Sequence, residues 1–428
     1  MNKREALEIN CVPEGTIHLP ASKSLSHRAL ICGALAGEGT ILEGLGSWGE
    51  DVAATLGCLV EMGLSYEMQK TRLVITQGIS PLQKDEVVRE DNTLDCGESG
   101  STLRFLIPLA LLSGAPVTMT GRGRLMQRPI KEYADALCAN GARVNLKGQL
   151  LHLQGPLTPG IFVMPGNVSS QFISGLLMAL PLLPEDSEIR LTSNLESEPY
   201  VAMTLHVMER FGVYAEKREN SYRITGGQTY KASTYTVEGD YSAGAYFLVA
   251  GALGCSVGCT GLSPESLQGD REILDFIRRC GGRIASDERG TIRASAEDLH
   301  GIIADISQCP DLAPPLAVLL SFCRGESRII GAGRLRMKES DRLRSITTAL
   351  NALGAKITEG SDHLHILGVK ELAGGTVDPH NDHRIAMAGA LASLKSRGTV
   401  TVLDPDCVNK SYPGFWKDFC RAEKEGRA

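Results

Sequence analysis

The hydrophobic and polar positions of this chain follow one pattern that recurs along its length. Each copy has a polar cap residue, an apolar helix rich in alanine and leucine, a glycine or turn, and a strand rich in β-branched residues. The copies begin roughly 70 to 75 residues apart, which is too long for a solenoid repeat and suits a small unit of several elements. Six copies are present, at Ser26–Gly44, Ser101–Gly121, Ser169–Ser193, Ser242–Gly261, Asp311–Gly331 and Asp382–Leu403.

A second pattern occupies the chain between successive copies. It consists of an amphipathic helix ending at glycine, a strand, a polar turn and another strand, as in Leu56–Gly78 and Leu343–Gly368. The two patterns together predict a unit of strand, helix, strand, helix, strand and strand. Six units, grouped three and three, predict a pseudo-symmetric two-domain α/β protein. Five glycines stand where a helix C-cap is expected, namely Gly63, Gly141, Gly212, Gly282 and Gly354.

The domain boundary is expected between the third and fourth copies, near Gly239 and Asp240. Because the first copy begins only at about Ala21, the strand within Ile9–Leu19 is expected to join the C-terminal half. The predicted domains are therefore residues 21–239, and residues 1–20 together with 240–428. Equivalent helix starts point in equivalent directions, so each domain would present three positive helix ends, and we expect the functional site in the cleft between the domains.

Composition excludes several classes of protein. Of 428 residues, 22% are charged and 43% hydrophobic, which is ordinary for a globular chain. The formal net charge of −6 argues against a general nucleic-acid binder, so any anion site must be a local basic cluster. Apolar runs such as Phe172–Leu183 are too short to cross a membrane, and no apolar segment typical of a signal peptide follows Met1–Glu5.

The cysteines and histidines do not show the spacing of a metal site. Twelve cysteines are scattered from Cys11 to Cys420, and only Cys255 and Cys259 lie close together, without a second pair to complete a zinc site. The nine histidines show no ligand spacing either. We therefore expect reduced thiols in a cytoplasmic protein that holds no metal.

Chemically distinctive residues gather at the starts of the first-pattern helices. Serine, aspartate and asparagine there are explained by capping alone, but caps do not require Lys23, Arg28 and Arg384 as well. Cations beside the backbone N–H groups of a helix start suit an anion. The segments concerned are Lys23–Arg28, Cys96–Thr102, Asn167–Gln171, Glu238–Ser242, Cys309–Asp311 and Asn381–Arg384.

Three loops outside the caps add further charge, namely Gly121–Pro129, Arg336–Arg342 and Asp404–Pro413. With the helix starts they give a candidate set of seven cations around two carboxylates, which suggests a substrate carrying several phosphate or carboxylate groups. The carboxylates are then candidates for general acid and base. The set is Lys23, Arg28, Arg124, Lys338, Arg342, Arg384 and Lys410, with Asp311 and Glu339.

In this order, the motifs resemble the 5-enolpyruvylshikimate-3-phosphate (EPSP) synthase family. The resemblance extends from Gly15 to Pro413. It implies two inside-out α/β barrel domains, each of three βαβαββ units. It also implies transfer of the enolpyruvyl group of phosphoenolpyruvate to the 5-hydroxyl of shikimate 3-phosphate, with release of phosphate and without a metal or organic cofactor. The motifs are Ser22–Ser24 with Arg28, Gly97–Arg104, Ser169–Gln171, Ser197–Tyr200, Arg336–Arg342, Asn381–Arg384 and Lys410.

The resemblance also implies a role for each matching residue. Ser24 and Arg28 would hold the shikimate carboxylate, and Gln171 and Tyr200 would lie against the ring. The 3-phosphate ligands would be Ser169, Ser170, Ser197 and Lys338. The phosphoenolpyruvate ligands would be Lys23, Arg124, Arg342, Arg384 and Lys410, with Gly100 allowing close approach.

Two carboxylates are assigned to the chemistry. Asp311 would take the proton of the attacking hydroxyl, and Glu339 with Lys23 would serve the methylene carbon and the leaving phosphate. The surrounding cations favour ionised carboxylates, which suits a base at Asp311 and makes Glu339 a poor resting acid.

The sequence departs from the family pattern at three positions. Glu98 stands where asparagine is usual, Ser101 where threonine is usual, and Arg334 where many members have asparagine. Gly100 resembles the residue of members that glyphosate inhibits, so we expect glyphosate to inhibit this protein. We further expect a monomer that takes small-molecule substrates, with neither nucleic acid nor membrane as a partner.

Three other functions remain open from the sequence. The sister family that transfers enolpyruvyl to UDP-N-acetylglucosamine usually has a catalytic cysteine in the loop equivalent to Gly121–Pro129, and none of the cysteines lies there. A non-catalytic phosphometabolite-binding protein is disfavoured by the presence of Lys23, Asp311, Glu339 and Lys410. A hydrolase with a dyad of Lys23 and Ser24 is disfavoured because adjacent side chains seldom face each other.

Overall fold

The computed structural model of the chain describes residues 4–82 and 93–420. Residues 1–3 of the N-terminal segment, on which the expected absence of a signal peptide rests in part, lie outside this range. The described α-helices are α1 Lys23–Ala36, α2 Glu50–Glu61, α3 Gly100–Ala110, α4 Lys131–Cys138, α5 Ser170–Ala179, α6 Glu198–Arg210, α7 Tyr241–Ala252, α8 Ile273–Arg279, α9 Ala313–Ser321, α10 Arg342–Ala352, α11 His383–Ser393 and α12 Phe415–Phe419.

The β-strands alternate with these helices along the chain. The described strands are β1 Ala6–Ile9, β2 Gly15–His18, β3 Ile41–Glu43, β4 Ser65–Gln69, β5 Arg72–Gln77, β6 Thr93–Asp95, β7 Pro116–Thr120, β8 Arg143–Lys147, β9 Leu150–Gln154, β10 Ile161–Met164, β11 Ser187–Leu191, β12 Glu216–Lys217, β13 Ser221–Ile224, β14 Thr234–Thr236, β15 Val257–Thr260, β16 Arg283–Ser286, β17 Ile292–Ser295, β18 Ile303–Asp305, β19 Glu326–Ile330, β20 Lys356–Glu359, β21 Leu364–Leu367, β22 Gly375–Val377 and β23 Val400–Leu403.

The chain divides into two compact units. We call Ala21–Val237 the N-unit, and Met1–Pro20 with Glu238–Ala428 the C-unit. The N-unit holds three four-stranded sheets, in the orders β14-β3-β5-β4, β6-β7-β9-β8 and β10-β11-β13-β12. The C-unit holds β2-β15-β17-β16, β18-β19-β21-β20 and the three-stranded sheet β1-β23-β22.

In each unit the first-pattern helices are interior and the sheets are exterior. Nearly every residue of α7 is buried, and α9 is buried along its whole length. The strands instead alternate, so that β9 buries only Leu151 and Leu153 and exposes their neighbours. Each unit therefore has its own apolar core, and the starts of the interior helices carry the polar residues found in the sequence.

The first strand of two repeats comes from a distant part of the chain. β14 pairs in parallel with β3, so the repeat that contains α1 receives its first strand from the end of the N-unit. β2 likewise pairs in parallel with β15, so the N-terminal strand supplies the repeat that contains α7. This arrangement explains why β2, the strand that precedes α1 in the chain, does not belong to the first copy of the pattern.

The sixth repeat is incomplete. It has β22, α11 and β23, after which a 3-10 helix, Pro405–Lys410, and the short α12 replace the second helix and the hairpin. β1 then adds antiparallel to β23 and closes that sheet with three strands. The prediction of six complete units is therefore wrong for this copy.

The predicted helix starts are correct at two copies and displaced at four. Ser169 and Asp382 are N-caps as predicted, and each accepts a backbone N–H. Asp311 lies in the 3-10 turn Pro310–Leu312 ahead of α9. In the remaining copies the cap comes two to four residues earlier, with Ser22 in place of Ser26, Ser99 in place of Ser101 and Asp240 in place of Ser242.

Small polar residues explain these displacements. The hydroxyl of Ser26 donates to the carbonyl of Ser22 at 2.8 Å, so it is satisfied inside the first turn of α1 and does not cap it. One C-cap glycine is also displaced, because the positive φ of 94° falls on Gly281 and not on Gly282.

The expectation that all cysteines are reduced is wrong for one pair. Cys11 and Cys420 form a disulfide with a Cα–Cα distance of 5.0 Å, and the other ten cysteines are free. The two residues are separated by 409 positions, so their proximity follows from the fold of the C-unit and leaves no signal in local spacing. Within the described residues, no helix combines the length and apolarity that a membrane span requires.

We predict that Cys11→Ser lowers the stability of the C-unit by about 2–4 kcal/mol, because the crosslink restricts the unfolded chain. Urea unfolding without reductant should separate this variant from the parent, and added reductant should remove the difference. Cys138→Ser, which removes an exposed free thiol, is the matched control. Equal unfolding of the parent and Cys11→Ser without reductant would contradict the prediction.

Candidate functional site

Arg342 is the most enclosed cation among the candidate site residues of the C-unit. Its side chain is 1% exposed at the start of α10. The guanidinium donates from Nε to Asp382 Oδ2 at 2.9 Å, from Nη1 to Asp311 Oδ1 at 2.9 Å and from Nη2 to Glu339 Oε2 at 2.6 Å. Burial alone would lower the pKa of Arg342, but the three carboxylates hold it well above its usual value.

Asp311 receives three cations. Arg342 and Lys338 donate to Oδ1, the latter at 3.4 Å, and Arg384 donates to Oδ2 at 3.0 Å. Burial would raise the pKa of this carboxyl, but the positive charges of Arg384, Lys338 and Arg342 outweigh it and hold the pKa well below its usual range. Asp311 is therefore ionised at neutral pH.

Asp382 holds the other residues of this cluster in place through several hydrogen bonds. It is fully buried, accepts the hydroxyl of Ser340 at 3.0 Å and caps α11 through the backbone N–H of Arg384 at 3.1 Å. The same carboxylate holds Arg342. One side chain thus fixes the start of α11 relative to the start of α10.

Lys410 reaches the same region from the end of the 3-10 helix Pro405–Lys410. Its Nζ donates to the carbonyl of Asn381 at 2.7 Å, next to the Asp382 cap. We call these residues the C-unit cluster. Four cations, Lys338, Arg342, Arg384 and Lys410, oppose three carboxylates, Asp311, Glu339 and Asp382, so the cluster carries one net positive charge.

Arg28 is the corresponding buried cation of the N-unit. It donates to Thr204 Oγ1 at 2.7 Å and to the carbonyls of Ser24 and Tyr200 at 2.7 and 2.8 Å. Its guanidinium also lies over the ring of Phe105, 5.0 Å from the centroid. Burial lowers the pKa of Arg28 to about 10, so it remains a cation, and its hydrogen-bond acceptors are neutral hydroxyl and carbonyl oxygens.

Lys23 begins α1 and is paired with a residue that the sequence reasoning missed. Its Nζ lies 2.8 Å from Asp51 Oδ2, and the two side chains are 17% and 10% exposed. Asp51 lies in the first turn of α2, where a carboxylate is also favoured by the helix dipole. The predicted Lys23 thus has a positioning partner from the neighbouring helix.

The starts of α3 and α5 are joined by a polar network. Gln171 accepts from Arg104 Nη1 at 2.6 Å and donates to Ser101 Oγ at 2.9 Å. A Cβ placed on Gly100 would lie 2.8 Å from Arg128 Nη1 and 3.6 Å from Gln171 Oε1. Gly100 therefore gives the backbone access to a surface made of guanidinium and amide groups.

The remaining predicted residues of the N-unit lie at helix starts or in the basic loop. Ser169 caps α5 and Ser170 begins it, and the fold places Tyr200 in the first turn of α6. Ser197 precedes α6 with φ 55° and ψ 41°, a left-handed conformation that is costly for serine and is often found at functional sites. Arg124 is exposed just before the 3-10 turn Leu125–Gln127, outside the network of Gln171.

Two departures from the family pattern have local explanations. The Glu98 carboxyl lies against Gly123, where a Cβ would come within 2.9 Å of it, so Glu98 packs over the basic loop. Arg334 donates to the carbonyl of Ser307 at 2.8 Å. Among the described residues no group of three or more histidine, cysteine or acidic side chains is arranged to hold a metal ion.

Sequence reasoning missed several residues that position the predicted ones. Asp382 and Arg104 lie inside motifs named above, and Asp382 could have been found by asking which carboxylate neutralises a buried cation. Asp51 and Thr204 come from second-pattern helices, and only the fold brings them to the site.

The fold is shared with a solved structure of EPSP synthase from Acinetobacter baumannii. The TM-score is 0.79 over 96% of this chain and 97% of the other, with 24% sequence identity, so this likeness shows the fold alone. It places the chain in the class of two-domain α/β proteins predicted from the repeats, and the predicted fold class is confirmed.

The sequence comparison is more specific. The family model described as EPSP synthase (3-phosphoshikimate 1-carboxyvinyltransferase) matches residues 12–419. Two relatives are each 43% identical to this chain, over 95% of this chain and 95% of theirs. They are the proteins named 3-phosphoshikimate 1-carboxyvinyltransferase from Clostridium perfringens and Clostridium acetobutylicum. The chain belongs to the EPSP synthase family, which confirms the predicted family and enzyme class and does not favour the UDP-N-acetylglucosamine alternative.

We predict that Asp382→Ala destabilises the C-unit by about 3–5 kcal/mol, because it leaves the buried Arg342 with fewer partners. Urea unfolding measures the change. Asp275→Ala, which breaks an exposed ion pair with Arg278 in the same unit, should have a much smaller effect. Equal effects of the two substitutions would show that burial of Arg342 does not depend on Asp382.

Proposed function

We propose that this chain transfers the enolpyruvyl group of phosphoenolpyruvate to the 5-hydroxyl of shikimate 3-phosphate, yielding EPSP and inorganic phosphate. The observation that carries the proposal is the C-unit cluster, in which an ionised Asp311 lies among Arg342, Arg384 and Lys338. Such a group offers a base directly beside cations that suit phosphate and carboxylate. Membership of the EPSP synthase family supports both substrates.

The N-unit supplies most of the proposed shikimate 3-phosphate contacts. Ser24 and Arg28 hold the carboxylate, and Gln171 and Tyr200 lie against the ring. Arg28 suits this role because its hydrogen-bond acceptors are neutral, so among the described residues no carboxylate paired with it cancels its charge. The proposed 3-phosphate ligands are Ser169, Ser170 and Ser197, together with Lys338 from the C-unit.

Phosphoenolpyruvate is a compact molecule with two anionic groups, and its proposed ligands are cations. Arginine forks match carboxylate and phosphate geometry, and lysines add point charges. Gly100 leaves room for the molecule to approach the backbone. The proposed ligands are Lys23, Arg124, Arg342, Arg384 and Lys410.

The proposed reaction is an addition followed by an elimination. A proton is added to the methylene carbon of phosphoenolpyruvate while the 5-hydroxyl oxygen bonds to C2 and gives its proton to Asp311. The tetrahedral adduct then loses phosphate and a proton from the new methyl group, which restores the double bond. Glu339 and Lys23 serve the carbon proton and the leaving phosphate, and the cations stabilise the charge on that phosphate.

The proposed function is tested by phosphate release on mixing the protein with phosphoenolpyruvate and one acceptor at a time. Release with shikimate 3-phosphate and not with UDP-N-acetylglucosamine is the expected result. Release with UDP-N-acetylglucosamine alone would support the sister activity. No release with either acceptor, from protein shown to be folded, would support a binding protein.

We predict that Asp311→Asn lowers kcat by about 10²–10⁴-fold, because it removes the proposed base while keeping the side-chain shape. KM for both substrates should change much less than kcat. Steady-state kinetics of this variant and of Asp275→Asn, a surface control in the same unit, measure the effect. An unchanged kcat would remove Asp311 from its proposed role.

We also propose that glyphosate inhibits this protein by competing with phosphoenolpyruvate, and that Gly100→Ala weakens that inhibition. The added methyl would point at Arg128 and toward Gln171, where it crowds the surface proposed for the anion. Inhibition curves at fixed phosphoenolpyruvate measure the change. Gly57→Ala, at an exposed glycine of α2 where an added Cβ would meet no atom within 4 Å, is a control for replacing a glycine. Full activity of the parent at a large excess of glyphosate would refute the proposal.

We propose further that the protein is a cytoplasmic monomer. Sedimentation should then give a single species near 45.9 kDa. Cytoplasmic thiols are usually kept reduced, so the location of the protein bears on whether the Cys11–Cys420 disulfide persists in the cell. Alkylation of intact cells before lysis would show whether these two residues are thiols there.

A further inference from the structure

Asp270 is a buried carboxyl group beside the C-unit cluster that no step of the proposed reaction uses. It lies in the 3-10 turn Gly269–Glu272, which packs against the start of α7 and against the turn that carries Asp311. Its side chain is 2% exposed. Ser242 donates a hydrogen bond to Oδ2, whereas Oδ1 has no hydrogen-bond partner among the described residues. A buried carboxyl oxygen without a donor is costly, so its place beside the cluster requires an explanation.

Asp270 interacts electrostatically with Asp311 and Arg384. Burial, and then the negative charge of Asp311, raises the pKa of Asp270 to about 7, while Arg384 and the Ser242 hydroxyl act in the opposite direction. The charged and titratable groups around it are Asp240 at the cap of α7, Asp311 on the Pro310–Leu312 turn and Cys309 directly before that turn, Arg384 at the start of α11, and Arg271 and Glu272 on its own turn.

Ionisation of Asp270 would change the charge of the whole cluster. With Asp270 neutral, the four cations and three carboxylates leave one net positive charge for an anionic ligand. With Asp270 ionised, a fourth carboxylate cancels that charge, and Arg384, which is paired with Asp311, then also interacts electrostatically with Asp270. Anion affinity should therefore fall when Asp270 ionises.

We propose that Asp270 is a positioning residue that controls how much of the positive charge of Arg384 is available to phosphoenolpyruvate. The proton that Asp270 gains or loses exchanges with solvent and is not transferred to substrate. This inference rests on the proposed function, because it concerns an anionic substrate bound at Arg384.

The test compares the parent with Asp270→Asn over pH 6 to 8. Asparagine keeps the shape and still accepts from Ser242, but it cannot ionise. KM for phosphoenolpyruvate of the parent should rise relative to that of the variant, on the order of tenfold across this range. Because both proteins bind the same substrate, titration of phosphoenolpyruvate itself does not change the ratio of their KM values. The ratio of kcat values should change much less, and Asp298→Asn, a surface replacement, should follow the parent.

A second variant should shift the pH at which KM rises, and a purely structural role of Asp270 would not produce such a shift. The hydrogen bond from Ser242 favours the ionised form, so Ser242→Ala should shift the rise in KM to higher pH. This variant also keeps the inference testable if Asp270→Asn does not fold.

Stability gives a readout that does not depend on activity. The pKa of Asp270 is raised from 3.8 to about 7 on folding. Between these two pH values the folded state binds the proton of Asp270 more than the unfolded state does, so its contribution to stability is lost as the pH rises. The Tm of the parent should therefore fall relative to that of Asp270→Asn as the pH rises through this range.

The possible failures are distinguishable. Parallel KM profiles of the parent and Asp270→Asn, in protein that turns over, would overturn the role of Asp270 and leave the proposed function intact. Absence of turnover in the parent at every pH would instead overturn the proposed function.

Discussion

The C-unit depends on the burial of one guanidinium. Arg342 is almost completely enclosed, and a buried cation is tolerated only if carboxylates surround it with good geometry. Its three partners come from separate segments, since Asp382 caps α11, Asp311 lies before α9 and Glu339 precedes α10. The requirement to neutralise Arg342 therefore also fixes the distance between the two carboxylates assigned to the chemistry. The contacts that stabilise the fold of this unit therefore also position the two carboxylates proposed to take part in the reaction.

The N-unit also buries an arginine, but it stabilises this side chain with neutral groups. Arg28 is also buried, but it is held by hydroxyl and carbonyl oxygens and by the face of Phe105. Neutral acceptors satisfy its donors without cancelling its charge, at the expense of a lowered pKa. A cation held in this way can attract an anion strongly, which suits binding. The C-unit cations are largely compensated by carboxylates, which suits proton transfer at a site of small net charge.

The sequence predicted the periodic part of this structure and missed what depends on distant contacts. Apolar spacing located the interior helices, and the cations at their starts pointed to the candidate anion site. Local pattern could not assign β14 to β3 or join Cys11 to Cys420, because each pairing links segments far apart in the chain. The caps were displaced because runs such as Ser22–Ser26 offer several hydroxyls, and only the three-dimensional path of the chain selects among them. Asp51 and Asp270 were missed for the same reason, since an acidic residue in a sequence does not reveal which cation it faces.

The contrast between Asp382 and Asp311 shows how the start of a helix decides whether a carboxylate is used as its cap or is left to pair with other groups. Asp382 stands at a helix start whose N–H groups need an acceptor, and it is held there by the cap and by Arg342. Asp311 precedes a helix that begins Ala313–Pro314–Pro315. Proline has no N–H group and its backbone is already suited to the first turn, so α9 needs less capping than α11. The carboxylate of Asp311 can therefore turn to Arg342, Arg384 and Lys338, where an incoming hydroxyl would find an ionised base.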